Sequence, residues 1–298
     1  MEATAEQTDK LKLQKEMKKQ QRRMMRKRFL RSRMAVTGFI ILLVATLITL
    51  LAPVITSHDP LQVEPVNRLQ APSGEHIFGT DDLGRDVFSR VVYGIQESMF
   101  VGLAVAFVTA VLGIIFGLYS AYYRTLDHVL MRINDGLMAF PSILLAIAIM
   151  AALGPKTSNV IIALSVVYTP LIARVVRSAA LVIKEQTYIE AMRSLGGNSN
   201  RIIWRHIAPN TLSPLLVQAT FVFAMAIINE AMLSFLGAGI PAPEPSLGNI
   251  LYDGKNVITQ AWWMTVFPGL AVILITLGLN MFGDGMRDIL DPHSNKSR

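Results

Sequence analysis

Long runs of apolar residues alternate with short polar segments along this chain. A helix needs roughly 20 mostly apolar residues to cross a hydrocarbon core about 30 Å thick. Stretches without charged residues or histidine recur between residues 34 and 283, and most are long enough to span. The fourth is short, so we expect its helix to continue past Arg174 and Arg177, whose long side chains can reach the headgroups. The predicted transmembrane helices cover about 34–56, 96–123, 134–154, 158–180, 211–236 and 262–283.

The composition supports a membrane protein. Hydrophobic residues make up 52% of the 298 residues and charged residues only 16%, with a mean hydropathy of +0.44. Soluble domains carry about a quarter charged residues. The chain has no cysteine, which excludes disulfides, thiolate metal sites and cysteine nucleophiles. We therefore predict an all-α polytopic membrane protein.

The distribution of positive charge predicts its orientation. All but five of the 28 Lys and Arg residues fall on the side where six spans place both termini. Both termini are therefore expected to be cytoplasmic. This predicts a cytoplasmic basic segment at 1–33, a six-helix membrane domain at 34–292 and a cytoplasmic tail at 293–298. Residues 10–33 directly precede the first span, so we interpret them as an anchor beside anionic lipid rather than a nucleic-acid-binding segment.

The connection over residues 57–97 carries closely spaced glycines and aspartates, which are typical of turns and helix caps. Asp82 is the predicted N-cap of a short helix. Asp81, Asp82 and Asp86 do not follow the twelve-position pattern of a calcium loop. We therefore predict an ordered extracytoplasmic segment held by pairing between arginine and aspartate.

Residues 182–210, on the opposite side, alternate apolar and charged positions as two short amphipathic helices would. Gly196-Gly197-Asn198 predicts a break between them, and Pro209 is expected to end the second. This pattern favours a surface for a partner protein, although a helical loop that rests on the headgroups would give the same pattern.

The residues of this loop resemble the signature of the permeases of binding-protein-dependent ABC importers. That signature is Glu-Ala-Ala, three residues, Gly, nine residues and Ile-x-Leu-Pro. Glu190-Ala191 is followed at the expected distances by Gly196 and Pro209. The departures from the signature are Met192, His206 and Ala208. The resemblance implies that a coupling helix contacts an ATPase through the region of Glu190, Ala191, Gly196 and Pro209.

Three further segments are similar to the C-type permease of dipeptide, oligopeptide and nickel importers. They cover residues 78–86, 230–240 and 283–292. In the first, the matching residues are Gly79, Thr80, Asp81, Gly84, Arg85 and Asp86. At the outer end of the fifth span they are Glu230, Ser234 and Gly237.

The resemblance implies the type I importer permease fold and half of a translocation path for di- or oligopeptides. Nickel complexes and glutathione-like compounds are alternative cargoes. The implied partners are a homologous second permease, two cytoplasmic ATPase subunits, an extracytoplasmic substrate-binding protein and the lipid bilayer, with no nucleic acid. ATP and Mg²⁺ would be bound by the ATPases and no cofactor by this chain. The complex would lie in the cell membrane of a bacterium or archaeon.

The sequence predicts no energy source or catalytic site of this chain's own, so we do not expect an enzyme. The string nearest to a phosphate loop, residues 154–157, lacks the glycine before its lysine. Glu230 and Asp135 are expected at span ends within reach of water, so neither predicts a proton relay. The five histidines are expected to be scattered over both sides, which predicts no metal site. An ion-coupled secondary transporter is a distant alternative.

Overall fold

The part of the chain that the structure describes is almost entirely helical. The computed structural model describes residues 16–290 except 18, 21, 22 and 26. The remainder of the predicted basic segment at 1–33, and the tail at 293–298, lie outside the described residues. The helices are α1 (Arg33–Leu50), α2 (Ala52–Ile55), α3 (Val87–Tyr122), α4 (Arg124–Met138), α5 (Ser142–Leu153), α6 (Thr157–Lys184), α7 (Thr187–Ser194), α8 (Ser199–Ile202), α9 (Ala208–Phe235), α10 (Leu247–Lys255) and α11 (Trp263–Leu290).

Within the described residues, five helices are long and apolar enough to cross a membrane: α1, α3, α6, the continuous α8–α9 and α11. They correspond to five of the six predicted spans. Helix α6 continues to Lys184, as expected from the shortness of its apolar stretch. Helix α3 begins at Val87, well before the predicted boundary at 96, because Asp86 caps it within the polar segment.

The structure does not contain the single helix that was predicted over 134–154 as the third span. Helices α4 and α5 meet at an angle of 95°, and only as a bent pair do they qualify as a sixth span. Pro141 lies at the break, and proline disfavours helical geometry in the residue before it. At 12 residues, α5 is about 18 Å long, which is too short to cross a bilayer alone.

The loop after α6 confirms one expectation and corrects another. Helix α7 ends before Gly196-Gly197, where the break was predicted, and Asn198 caps α8. Pro209 does not end the second helix. A π-helical turn at Ile203–Ile207 connects α8 to α9, and Pro209 lies in the first turn of α9. The wider turn lets the helix continue through a residue that has no N–H to donate.

Helix α3 connects two apolar clusters. One cluster is formed mainly by α3, α6 and α9 and includes the buried isoleucines of the 185–207 loop. The other joins α3 and α9 to α1, α10 and α11. Gly113 and Gly117 let α3 approach α6 closely: a Cβ at Gly113 would lie 2.5 Å from a methyl carbon of Ile172. The long α3 therefore belongs to both halves of the core.

Candidate functional site

Two polar regions lie at the two ends of α3. We call residues 58–90, with Asp253 and Trp263, the polar cap, and residues 185–207 the amphipathic loop. The cap surrounds the N-terminus of α3, and the loop contacts its C-terminal turns. At 36 residues, α3 is about 54 Å long, more than the thickness of a hydrocarbon core. The two sets of signature residues are therefore separated by the membrane domain.

Asp81 lies at the centre of the polar cap. One carboxylate oxygen accepts backbone N–H bonds from Leu83 and Arg85, each at 2.9 Å. The other accepts from the Arg85 side chain at 2.6 Å and lies 3.5 Å from the Arg90 guanidinium. These contacts confirm the predicted pairing between arginine and aspartate, and they occupy both oxygens that a cation would need.

Two buried guanidinium groups share this carboxylate. Arg90 is only 2% exposed, and besides Asp81 it contacts the carbonyl of Pro60 at 3.4 Å. Arg85 also reaches Asp253 of α10, at 3.4 Å. Burial, followed by the nearby charge of Asp82, raises the pKa of the Asp253 carboxyl above its usual value. Neither Arg90 nor Asp253 was among the predicted site residues, because nothing in the linear spacing places them beside Asp81.

Asp86 is the N-cap of α3, and the prediction that Asp82 caps a helix is wrong. One oxygen of Asp86 accepts the Ser89 N–H at 2.7 Å, while the other is 3.0 Å from Nδ1 of His76. Asp82 is half-buried, and one of its oxygens has no hydrogen-bond partner among the described residues. The helix begins four positions later than expected because the chain first closes a turn at Asp81, where Arg85 N–H bonds back to its side chain.

The remaining cap residues of the signature join distant segments. Thr80 is fully buried, accepts the Gln70 N–H at 2.8 Å and donates to the Asn67 carbonyl. The carbonyl of Thr80 accepts the indole N–H of Trp263, at 3.0 Å. A Cβ at Gly84 would lie 1.9 Å from the Glu64 carbonyl oxygen, and φ there is +79°. Gly79 similarly lies against the Gln70 carbonyl and Trp263.

Glu230 is a second buried polar centre, near the C-terminal end of α9. It is 0% exposed, which shows that the expectation of a water-accessible carboxylate is wrong. It accepts hydrogen bonds from Ser98 of α3 at 2.7 Å and from Ser234 at 3.0 Å. The Ser234 hydroxyl in turn accepts the Ile240 N–H at 3.2 Å. Glu230 thus holds α3, α9 and the segment after α9 together, whereas Gly237 lies exposed in the turn that follows α9.

The amphipathic loop has a buried face and an exposed face. Ile189, Ile202, Ile203 and Ile207 are buried in the same cluster as α3, α6 and α9. The signature residues Glu190, Ala191, Gly196 and Pro209 are exposed. Leu195 projects beside them with 86% of its surface exposed. The loop is therefore packed firmly on the membrane domain while its signature residues face away from it.

The backbone conformation of the turn after α7, rather than crowding by a neighbouring residue, favours glycine at position 196. The Gly196 N–H bonds to the Arg193 carbonyl and the Gly197 N–H to the Met192 carbonyl, both at 2.9 Å. This closure of a helix places its middle residue in the left-handed region, and φ of Gly196 is +76°. A Cβ at Gly196 would meet nothing within 4 Å. The space that glycine leaves is therefore open on the outside of the chain.

Polar contacts attach the loop to the last turns of α3. Tyr119 donates to Asn200 at 3.1 Å, and Tyr122 donates to Ser199 at 3.2 Å. The Lys184 ammonium donates to the Ala121 carbonyl at 2.8 Å. A movement of the loop would therefore be transmitted to α3.

An open, charged pocket of about 450 Å³ lies between α4 and α6. Arg177 pairs with Asp127 through two hydrogen bonds of 2.5 and 2.7 Å, and Arg174 pairs with Asp135 at 2.5 Å. The sequence placed these arginines near the headgroups but gave no sign of their partners, because nothing in the linear pattern brings Asp127 and Asp135 beside them.

Comparison with known proteins identifies the family. Residues 110–296 match the family described as binding-protein-dependent transport system inner membrane component, and residues 20–72 match the N-terminal transmembrane domain of oligopeptide transport permease C. The chain belongs to this family of ABC importer permeases. The permease resembles a protein of Brucella suis biovar 1 whose name describes a peptide transport system permease, with 51% identity over 91% of this chain and 90% of that protein.

Two other relatives are named for the transport of dipeptides and of glutathione. The dipeptide transport system permease protein DppC of Alkalihalophilus pseudofirmus is 45% identical, over 89% of this permease and 88% of that protein. The glutathione transport system permease protein GsiD of Escherichia coli O6:K15:H31 is 42% identical over the same shares.

Among solved structures, the permease resembles a chain of the MetNI methionine ABC transporter in an inward-facing conformation. The TM-score is 0.56 at 25% identity, and the match covers 67% of this permease and 96% of that chain. The predicted fold class is thereby confirmed: a helical, multi-pass importer permease.

Proposed function

We propose that this permease forms half of the translocation path of an ATP-driven importer for di- or oligopeptides. A homologous permease would supply the other half, two cytoplasmic ATPases the energy, and an extracytoplasmic binding protein the substrate. The permease itself would be no enzyme. The names of relatives at 51% and 45% identity, which describe peptide and dipeptide transport, support this cargo.

The amphipathic loop is the observation that carries the proposal. Its signature residues are exposed, and its isoleucines are buried in the membrane domain. Leu195 offers an exposed apolar side chain, and the space beside Gly196 is open. A partner can therefore approach the backbone closely there, and Glu190 can pair with a basic residue on it.

The attachment of the loop supports a mechanism for coupling. When ATP closes the two ATPases, each pushes on the loop that it contacts. Because Tyr119 and Tyr122 bond to the loop and its isoleucines pack against α6 and α9, these helices follow as a rigid body. Rigid-body motion of one half against the other would alternate inward- and outward-facing states.

The orientation belongs to the same proposal. The excess of Lys and Arg supports a cytoplasmic position for the amphipathic loop and both termini, with the polar cap outside. The chain has no cysteine, so single thiols report sidedness. In right-side-out vesicles, a membrane-impermeant thiol reagent should label Val66→Cys in the cap and should label Leu195→Cys only after permeabilisation. The reverse pattern would contradict this orientation.

Copurification tests the coupling surface directly. Gly196→Arg adds a long charged side chain where a partner would approach, so the ATPases should no longer copurify with the permease pair. Gly237→Arg is the matched control, because φ is +78° there and a Cβ also meets nothing within 4 Å. Both variants carry similar backbone strain, so the difference between them reports the partner. Equal ATPase retention in the two variants would overturn the coupling role of the loop.

Glutathione is the second candidate cargo, favoured by the 42% identical relative named for its transport. Nickel complexes are the remaining alternative. Reconstituted complex with its cognate binding protein should take up radiolabelled dipeptide in an ATP-dependent manner. Uptake of glutathione or nickel alone, without dipeptide, would replace the peptide assignment but leave the coupling mechanism intact.

A further inference from the structure

The polar cap brings together two histidines that are well separated in the sequence. The rings of His58 and His76 lie 4.8 Å apart, centroid to centroid, at an interplanar angle of 36°. The expectation that the histidines are scattered is therefore wrong for this pair. Together with Asp86, they offer three ligand atoms within 4.8 Å of one another.

We propose that His58 and His76 bind one divalent transition-metal ion of the Zn²⁺ class, with Asp86 orienting the His76 ring. The site lies in the polar cap, at the N-terminus of α3. It is separate from the amphipathic loop and does not depend on the proposed transport function.

His76 supplies the first argument. Its residue is 3% exposed, and its Nε2 has no hydrogen-bond partner among the described residues. A buried polar atom without a partner is destabilising, so such an atom calls for an explanation. A metal ion on Nε2 would satisfy it.

Asp86 supplies the second argument, since it determines which nitrogen is free. Its carboxylate lies 3.0 Å from Nδ1 of His76 and, when ionised, can only accept a hydrogen bond. Nδ1 therefore carries a proton, and in the neutral ring Nε2 would present its lone pair to an ion. A carboxylate that accepts from the far nitrogen is the usual support of a metal-binding histidine. Asp86 is itself fixed, because its other oxygen caps α3 through Ser89.

His58 supplies the second ligand and the freedom to close the site. Zinc–nitrogen bonds are about 2.0–2.1 Å, so the ligand atoms must come within roughly 3–4 Å of one another. The ring centroids of His58 and His76 lie 4.8 Å apart, so one ring must shift for both nitrogens to reach one ion. His58 is half-buried and lies outside any helix, between α2 and the turn at Pro65–Asn67, so it can make this movement. Water would complete the coordination.

The donor set selects the class of ion. Imidazole nitrogens suit Zn²⁺, Cu²⁺ and Ni²⁺, whereas Ca²⁺ and Mg²⁺ prefer shells of oxygen ligands. The oxygens of Asp81 are occupied by backbone and arginine donors, so the neighbouring aspartates do not supply such a shell. The ion would join the chain after α2 to the start of α3 and stabilise the cap by mass action.

A direct binding titration tests the site. Full-length permease, purified in detergent through a tag without histidine, is titrated with Zn²⁺ in competition with a chromophoric chelator. His58→Ala is the test variant, since His58 is half-buried and the fold tolerates its loss better than that of His76. His128→Ala is the matched control, because His128 is an exposed histidine on α4, remote from the cap.

The wild type and His128→Ala should each bind one Zn²⁺ at the same affinity. His58→Ala should bind at least about tenfold more weakly. Co²⁺ should give visible d–d absorption bands in the wild type that His58→Ala lacks. At the same Zn²⁺ concentration, the melting temperature of the wild type should rise more than that of His58→Ala. Equal affinity of the wild type and His58→Ala, or no Zn²⁺ binding by the wild type, would overturn the proposal.

Discussion

The two signature regions of this permease satisfy their polar groups in opposite ways. In the polar cap, Thr80, Asp81, Arg85 and Asp86 are buried and bonded to other residues of the same chain. In the amphipathic loop, Glu190 and Gly196 are exposed, and a methyl group added at Gly196 would meet nothing within 4 Å. These signature residues of the cap bond within this chain, whereas the loop presents its signature to something outside it.

The cap and the loop both carry residues of the family signature, but for different physical reasons. Changes in the cap should act on the stability of the permease and only indirectly on transport. Changes on the exposed face of the loop should act on assembly and coupling and leave stability almost unchanged.

Asp81→Ala should have the largest effect. It removes the carboxylate shared by the buried Arg85 and Arg90, and breaking a buried ion pair on one side costs about 3–5 kcal/mol. We expect a marked fall in the melting temperature and yield of the detergent-solubilised permease. Asp82→Ala is the control: its carboxylate has an oxygen without a partner among the described residues, so its loss should be nearly neutral. Equal destabilisation by both variants would contradict the central position of Asp81.

Gly84→Ala should come next. Its Cβ would lie 1.9 Å from the Glu64 carbonyl oxygen, at a residue whose φ is +79°. Overpacking and left-handed geometry together should cost about 2–4 kcal/mol, measured as a lower melting temperature. A methyl group at Gly74, in the same cap, would meet nothing within 4 Å. If Gly74→Ala destabilised the permease as much, close packing would not explain the glycine at 84.

Leu195→Ser should affect assembly rather than folding. The side chain is 86% exposed, so its loss should change the free energy of unfolding by no more than about 0.5 kcal/mol. The ATPases should bind at least about tenfold more weakly, a loss of about 1.4 kcal/mol, in a quantitative pull-down. Val66→Ser, at a cap residue with 94% exposure, should leave ATPase binding unchanged. Unaltered binding in Leu195→Ser would place the contact elsewhere.

Tyr122→Phe should have the smallest effect. It removes the 3.2 Å hydrogen bond to Ser199, worth about 1 kcal/mol, and keeps the ring. The ATPases should still copurify, but ATP hydrolysis should be stimulated less by the loaded binding protein because the loop is less firmly attached to α3. Full stimulation in both Tyr122→Phe and the double variant with Tyr119→Phe would show that the isoleucines alone transmit the movement.

The sequence predicted the features that depend on local pattern. Five spans, the break at Gly196-Gly197 and the Arg–Asp pairing of the cap followed from apolar run length, glycine spacing and opposite charges close together in the chain. Each of these signals lies close in the sequence to the feature that it predicts. The extension of α6 past Arg174 followed from the same reasoning.

The features that the sequence missed depend on contacts between distant segments or on small shifts of geometry. Burial of Glu230 requires Ser98 of α3 beside α9, and the pairing of His58 with His76 requires the cap to fold back on itself. The 95° angle of the bend at Pro141 could not be predicted from the sequence, because a proline shows where a helix is weakened but not the angle that packing imposes. The same holds for Pro209, where the π turn at Ile203–Ile207 let the helix continue.

Thiol protection tests the contrast between cap and loop most directly. The cysteine-free chain allows Leu195→Cys and Val66→Cys to be labelled individually, with and without the ATPases bound. Both thiols should react rapidly in the permease pair alone, since both positions are exposed. Addition of the ATPases should slow labelling of Leu195→Cys at least about tenfold and leave Val66→Cys unchanged. Undiminished labelling of Leu195→Cys in the assembled complex would contradict the account.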